Sequence, residues 1–448
     1  MDEEEVLKTV EEKKIQIIRI EYLDLNSVLR SRAIMKRQLK SAFENGLNFS
    51  KAIMDFTVLE DMVREPRWGA ETGDFFAVPD PNTFAVLPYL TGTARMFCDL
   101  VDINGKPWPG CTRTLLREAQ KKARREGIAL NIAFETENYL VRKEGERYLP
   151  ADYSKCFSPD GFEIQDPVLR EVINSLESMG VVVEKMTAEY GPGQYEVNMR
   201  YSDPLTAADN FTTYREVWRG VARKFNLVAT FMPKPFSDYA GSGLHLHISA
   251  FETKTQRNLF FDEADKKGLR LSELAYHFIG GIQEHAGALC AVGNPTVNSF
   301  KRLLPGSWAP AHVCYGPGNR AVLIRIPEGR GEDVRIEFRS PDPTCNPYLL
   351  LSALIAAGID GIKRKIDPGE PMLKDIGHAS ASDIEKWGIK WLPRTLGEAL
   401  RAFKEDKVIR EALGETLSEE YLKVRQAEWD EYNKYVSPWE VEKYLETY

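Results

Sequence analysis

Three segments of the chain repeat one pattern, and that pattern constrains the fold more than any other feature. Glu135 and Glu137 lie two apart inside a largely apolar run from Ile132 to Leu140; His245 and His247 lie two apart after Gly241, Ser242 and Gly243; Arg335, Glu337 and Arg339 alternate with Ile336 and Phe338. On a β-strand, residues two apart point to the same face. Each segment therefore predicts a strand with one polar and one apolar face. Glu189 and Glu196 flank the turn from Tyr190 to Tyr195, which can return both carboxylates to one place. For Glu135 and Glu137 alone, a solvated strand face is the alternative, because converging carboxylates repel unless a cation or proton lies between them.

The remaining segments predict mixed structure without a regular strand–helix repeat. Ile15 to Ile20 and Val28 to Met35 flank a turn at Asp24 to Ser27 and predict a hairpin; Phe76 to Val78, Phe84 to Leu87 and Arg95 to Val101 add short strands. Turn formers concentrate between Asn104 and Gly110, and a charged helix is predicted from Thr112 to Arg125. A domain boundary is placed there, giving an N-terminal domain over residues 1–105 and a second over 106–448. Beyond it, strands are expected at Asn131 to Arg142, Val181 to Met186, Gln194 to Met199 and Leu244 to Ala250. Helices are expected at Asp166 to Ser178, Pro204 to Phe225 and along the tail from Leu396. The mixture predicts an α+β fold rather than a doubly wound sheet.

With 448 residues, the chain exceeds one ordinary core. Its 59 basic and 67 acidic residues leave a formal charge of −8, which argues against a nucleic-acid partner. The acidic start, Met1 to Glu5, is the reverse of a secretory signal. The longest apolar run, Tyr348 to Ile359, is too short for a membrane span of about 20 residues and predicts a buried helix. Six cysteines are scattered without a Cys-x-x-Cys pair, so a reducing, cytoplasmic setting is expected.

Five glutamates (Glu135, Glu137, Glu189, Glu196 and Glu337) and His245 make a mostly oxygen donor set, which favours Mg²⁺ or Mn²⁺ over zinc and suffices for two ions. Such ions beside arginines suit phosphoryl transfer. No P-loop is present, so a nucleotide must be held differently.

Several ordered motifs resemble the signatures of the glutamine synthetase family, class I. They are Gln194-Tyr195-Glu196, the run from Met232 to His247, Asn294 to Arg302, Asn319-Arg320, Ile324 to Pro327 and Arg335 to Pro343. The likeness extends from about Ile15 to Leu445. It implies a small β-grasp-like N-terminal domain and a large catalytic domain with a curved, largely antiparallel sheet and surrounding helices. It also implies ATP and glutamate as substrates, and a dodecamer of two hexameric rings with each site between neighbouring subunits. By motif, Glu137, Glu189 and Glu196 resemble ligands of a first metal, and Glu135, His245 and Glu337 those of a second. Arg302 and Arg339 resemble the arginines that hold glutamate and the acyl phosphate, with Gly241 in the glutamate loop. Arg320 and Arg335 resemble those facing the nucleotide phosphates, and Ser249 a residue near adenine. His247 either joins the ATP site or simply fills the strand face.

The sequence also departs from the family. Where the family carries an ammonium-binding Asp, Ser50 stands; where it carries a flap glutamate that takes a proton from ammonium, Trp308 stands. Ala240 replaces an Asn beside the glutamate loop, and the stretch from Leu373 to His378 replaces one carrying a modifiable tyrosine. An ammonium pocket needs negative groups and a base. A tryptophan offers instead an apolar face that can also hold an organic cation. The resemblance and its departures together predict a ligase that joins glutamate to an organic amine, a polyamine or small alkylamine, with Asp55 or Glu60 as candidates for deprotonating it. The alternatives are glutamine synthetase itself and a non-catalytic assembly protein.

Overall fold

The computed structural model describes residues 1–329 and 333–448. The hairpin forms as β1 (Ile17–Leu23) and β2 (Leu29–Met35), closed by Asp24, whose Oδ1 accepts from Asn26 N and Val28 N. With β3 (Leu47–Ser50), β4 (Asp74–Pro79), β5 (Ala85–Val86) and β6 (Thr93–Val101) they build a sheet of order β2-β1-β6-β4-β3, in which β1 and β6 run parallel and β5 flanks β6. A helix at Glu3–Glu12, not foreseen from the apolar pattern, precedes it and is capped reciprocally by Asp2 and Glu5.

The second sheet comprises β7 (Ile128–Glu144), β8 (Arg147–Pro150), β9 (Val183–Ala188), β10 (Gln194–Met199), β11 (Val228–Thr230), β12 (Leu244–Glu252), β13 (Tyr315–Pro317), β14 (Ile324–Ile326) and β15 (Ile336–Phe338). Its order is β13-β14-β15-β12-β7-β10-β9, with β8 and β11 also on β7, and among the described residues only β13 and β14 of this sheet pair in parallel. The long strand β7 organises it. Ile128, Leu130, Ile132 and Phe134 are buried, while the intervening Ala129, Asn131, Ala133 and Glu135 are half-buried. The apolar side packs on the helix Pro204–Lys224, where the Phe134 and Phe211 rings lie 5.2 Å apart. Helices thus cover one face, which leaves the other to the polar residues.

The apolar run at Tyr348 lies in the buried helix Pro347–Arg364. It crosses the helix Glu273–Glu284 so closely that a Cβ on Gly361 would stand 2.1 Å from His277 O and 2.6 Å from Gly281 Cα, so no side chain fits. The helix expected from Asp166 begins earlier, at Pro159, because Ser158 caps it, and it runs through Pro167.

Buried polar contacts dock the N-terminal sheet on the second sheet and its helices. Arg113 reaches Asp80 at 2.9 Å, Asp99 at 3.1 Å and Asp209 at 2.8 Å, and these carboxylates more than offset the cost of burying its charge. Ser27 Oγ donates to Cys345 O, and Asn346 Nδ2 to Asp24 O. Asp55 is buried against the helix Glu415–Tyr432, accepting from Trp68 N at 2.7 Å; burial, and then Glu420, push its carboxyl up to about 6. A carboxyl raised on folding contributes stability below its unfolded pKa that is lost as pH rises through the folded one. Asp55→Asn keeps the acceptor for Trp68 N. It is expected to raise unfolding free energy by about 1–3 kcal/mol at pH 8, with a smaller gain at pH 5, as measured by urea titration.

Candidate active site

Strand register gathers the polar residues. His245 lies opposite Glu135, His247 opposite Glu337 and Glu196 opposite Glu137. One ligand atom each from Glu135, His245 and Glu337 lies within 4.8 Å of the others, and so does a set from Glu137, Glu196 and His245. Glu189 falls in neither set; its backbone N donates to Gln194 O at 2.8 Å, and this turn brings it into the cavity lined by Glu137 and Glu196.

The electrostatics divide the cluster. Burial, and then neighbouring carboxylates, push Glu196 up to about 9 and Glu137 up to about 7; burial likewise raises Glu189. Burial opposes charge on Glu135 and Glu337 too, but His245 and His247 hold Glu135 below the usual carboxylate range, and Arg339 with His245 holds Glu337 at about 2. Burial and Arg339 press His245 down to about 4, leaving a neutral imidazole. Converging carboxylates around a neutral imidazole are a donor set whose repulsion a hard divalent cation relieves, so these residues fit a divalent metal.

Two cavities lie along β7 and β12. One, of about 620 Å³, is lined by Glu137, Glu189, Glu196, Gly241, His245, Arg302, Trp308, Arg320 and Arg339 among others. The second, of about 480 Å³, is lined by Glu135, His247, Ser249 and Arg335 among others. Arg320, expected on the nucleotide side with Arg335, lines the first cavity while Arg335 lines the second, because Arg320 lies in the loop between β13 and β14 and Arg335 directly precedes β15. His247 does more than fill a strand face: its Nδ1 accepts from Arg335 Nε at 3.0 Å and its Nε2 lies 3.0 Å from Glu135 Oε1.

Arg339 ties the site together. Its Nη1 contacts Glu337, its Nε donates to Arg320 O at 3.0 Å and its Nη2 to Trp308 O at 3.3 Å. Arg302 is buried, donating to the carbonyls of Ser340, Pro341 and Arg339. A Cβ on Gly243 would stand 2.4 Å from Arg302 Nη2, so glycine there makes room for the guanidinium. Trp308 is 58% exposed and stacks on Tyr190 at 5.8 Å.

Ser50 stands apart from Trp308: it is exposed, caps the turn after β3 by accepting from Ala52 N, and is not among the residues lining either cavity. Asp55 and Glu60 do not line them either; Glu60 pairs with Arg30 at 2.7 Å. Sequence reasoning passed over Arg325, Tyr190 and Phe157. Arg325 Nη1 lies 2.6 Å from Glu337 Oε2, and the alternation Ile324-Arg325-Ile326 was the available signal. The two aromatic residues belong to turns, where no periodicity marks them.

Residues 109–444 match the family model for the glutamine synthetase catalytic domain, and residues 1–108 that for the glutamine synthetase N-terminal domain. The chain belongs to the glutamine synthetase family. This family member is therefore an ATP-dependent ligase, of a family that uses ATP and divalent metals. It is 39% identical to a glutamine synthetase of Halobacterium salinarum, over 100% of this chain and 97% of that one. It is 37% identical to a glutamate–methylamine ligase of Methyloversatilis universalis, over 100% of both. A solved GmaS/ADP complex superposes with a TM-score of 0.87 at 31% identity, covering 98% of this chain and 99% of that one. The β-grasp-like domain and the curved, mostly antiparallel sheet of this family member are the architecture expected from its motifs. Among its described residues, no helix is long and apolar enough to cross a membrane.

Proposed function

We propose that this ligase joins the γ-carboxylate of glutamate to an organic amine through a γ-glutamyl phosphate. The observation that carries this reading is Trp308, an exposed indole in the cavity of Glu137 and Arg339, where a base and anionic site for ammonium would otherwise be needed. A glutamate carboxylate oxygen attacks the terminal phosphorus of ATP, and the bond to the ADP oxygen breaks. The amine nitrogen then attacks the acyl carbon, inorganic phosphate leaves with the C–O electron pair, and the ammonium loses one proton. The net products are ADP, phosphate, the γ-glutamyl amide and H⁺.

Glu137, Glu189 and Glu196 would hold one Mg²⁺ or Mn²⁺, and Glu135, His245 and Glu337 another; bound there, the ions neutralise phosphate oxygens. Arg302 and Arg339, beside Gly241, face the glutamate and the charge that develops on transfer. Arg335, His247 and Ser249 line the cavity that would take the nucleotide, and Arg320, which lines the other cavity, would face its phosphates from there. Ser50 enters the amine pocket only if a neighbouring subunit supplies it, as in the ring assembly of two hexamers that the resemblance implies.

Glutamine synthesis is the second reading, favoured by the Halobacterium relative. Phosphate release with ATP, Mg²⁺ and glutamate should be at least tenfold greater with the best amine of a panel including polyamines and alkylamines than with equimolar ammonium. Equal turnover with low ammonium alone would overturn the amine reading.

A further inference from the structure

The larger cavity carries more than Trp308. Phe157 packs edge-on against Tyr190 at 5.8 Å, and Tyr190 stacks on Trp308 at 5.8 Å and 24°. The three rings are 61%, 51% and 58% exposed, and all three line the cavity of Glu137 and Arg339. Single exposed aromatic residues are ordinary; three in a continuous wall at a reaction cavity point to a ligand. The backbone supports the same conclusion. Phe157 has φ 58° and Trp308 φ 59°, a left-handed conformation that is unfavourable for bulky side chains and that concentrates at functional sites.

The wall is fastened to the reacting groups. Phe157 N donates to Ala188 O, Tyr190 follows Glu189 directly, and Trp308 O accepts from Arg339 Nη2. A molecule on the rings therefore lies beside the arginine that contacts Glu337.

Charge narrows what that molecule is. The carboxylates lining the cavity, among the described residues, are Glu137, Glu189 and Glu196 on the metal-binding side and Asp238, which acts on Lys234. Lys234, Lys301, Arg302, Arg320 and Arg339 line it too. A first ammonium can reach the glutamates or a ring face. A second one, further out, would meet the three rings and five cationic side chains, with Asp238 the one carboxylate of the lining outside the metal-binding side, so its lost hydration would be poorly compensated.

Resting on the glutamate–amine ligase reading, we infer that the Phe157–Tyr190–Trp308 wall is the acceptor-specificity element and selects a primary monoamine with an apolar body, a branched alkyl or phenyl group, over ammonium, methylamine and diamines. The rings would cover the apolar body and leave the amino group facing the acyl carbon. Tyr190, central in the wall, is the specificity-determining residue.

The test uses the full-length protein with ATP, Mg²⁺ and glutamate. Hydroxylamine, a small neutral nucleophile that needs no apolar wall, reports glutamate activation as the hydroxamate. 3-Methylbutylamine, 2-phenylethylamine, methylamine, putrescine and ammonium are compared by kcat/KM from phosphate release. The expected result is hydroxamate formation together with at least a tenfold advantage of 3-methylbutylamine or 2-phenylethylamine over methylamine, putrescine and ammonium. Tyr190→Ala should remove most of that advantage, lowering kcat/KM for the apolar amine about tenfold and for hydroxylamine several-fold less, and Tyr190→Phe should restore it. Hydroxamate formation with putrescine, methylamine or ammonium preferred, or with a preference that Tyr190→Ala leaves intact, overturns the inference alone. Absence of hydroxamate overturns the ligase reading and the inference with it.

Discussion

Arg339→Lys is expected to lower kcat by about a hundred- to a thousandfold. Arg339 makes three separate contacts from one planar group: Glu337, the Arg320 carbonyl and the Trp308 carbonyl. A lysine ammonium keeps the charge beside Glu337 but is a point donor on a flexible stem, and it cannot span the three directions of the guanidinium fork. The expected consequences are loss of charge stabilisation during transfer and loosening of the segment that carries Trp308. Both would appear in steady-state phosphate release, as a fall in kcat with glutamate and as a raised KM for the amine. A fall in kcat of less than tenfold would show that Arg339 does not face the developing charge. The variant should still fold, because Arg325 remains 2.6 Å from Glu337 and keeps that buried carboxylate paired.

Glu196→Gln is expected to act differently on the metal-free protein and on the loaded enzyme. Glu196 and Glu137 face each other across β10 and β7, both largely removed from water, with Glu189 in the same cavity. Without a cation, burial and the repulsion of these groups hold Glu196 protonated up to about pH 9, so a neutral amide in its place should leave the metal-free melting temperature unchanged, or higher above that pH. The same change deletes an anionic ligand. The rise in melting temperature that Mg²⁺ gives the wild type should shrink or vanish, because a ligand stabilises only by its differential binding to the folded state. Activity should fall by about a hundredfold or more. Differential scanning fluorimetry with EDTA and across a Mg²⁺ titration reads both effects. A variant that melts lower than wild type in EDTA but keeps the full Mg²⁺ shift would show that Glu196 is a packing residue and not a ligand.

Much of the fold was legible because its strands alternate. β10 and the helix Thr112–Arg125 form where the pattern places them, and β7 is the predicted strand lengthened at both ends. The misses have local causes. Glu3–Glu12 is a short, highly charged helix whose signal lies in its Asp2–Glu5 cap rather than in apolar periodicity. Pro159–Ser178 runs through Pro167, against the usual exclusion of proline from helix interiors, after Ser158 and Pro159 start it early. Arg320 lines the cavity of Glu137 rather than that of Arg335, because a motif gives order along the chain and not the side from which a loop enters the cleft.

The sequence by itself determined which residues carry charge and which strand face each occupies, because strand periodicity is a property of the local backbone. Glu135 with Glu137, His245 with His247, and Arg335 with Glu337 and Arg339 could be paired on that ground alone. The tertiary structure decided which of these meet, because register between strands far apart in sequence is set by packing of their apolar faces on the helices. It set His245 opposite Glu135, gave the two cavities along β7 and β12 different linings, and left Ser50 out of the lining that contains Trp308 within one chain. It also assembled Phe157, Tyr190 and Trp308 into one wall from three turns that no sequence period relates.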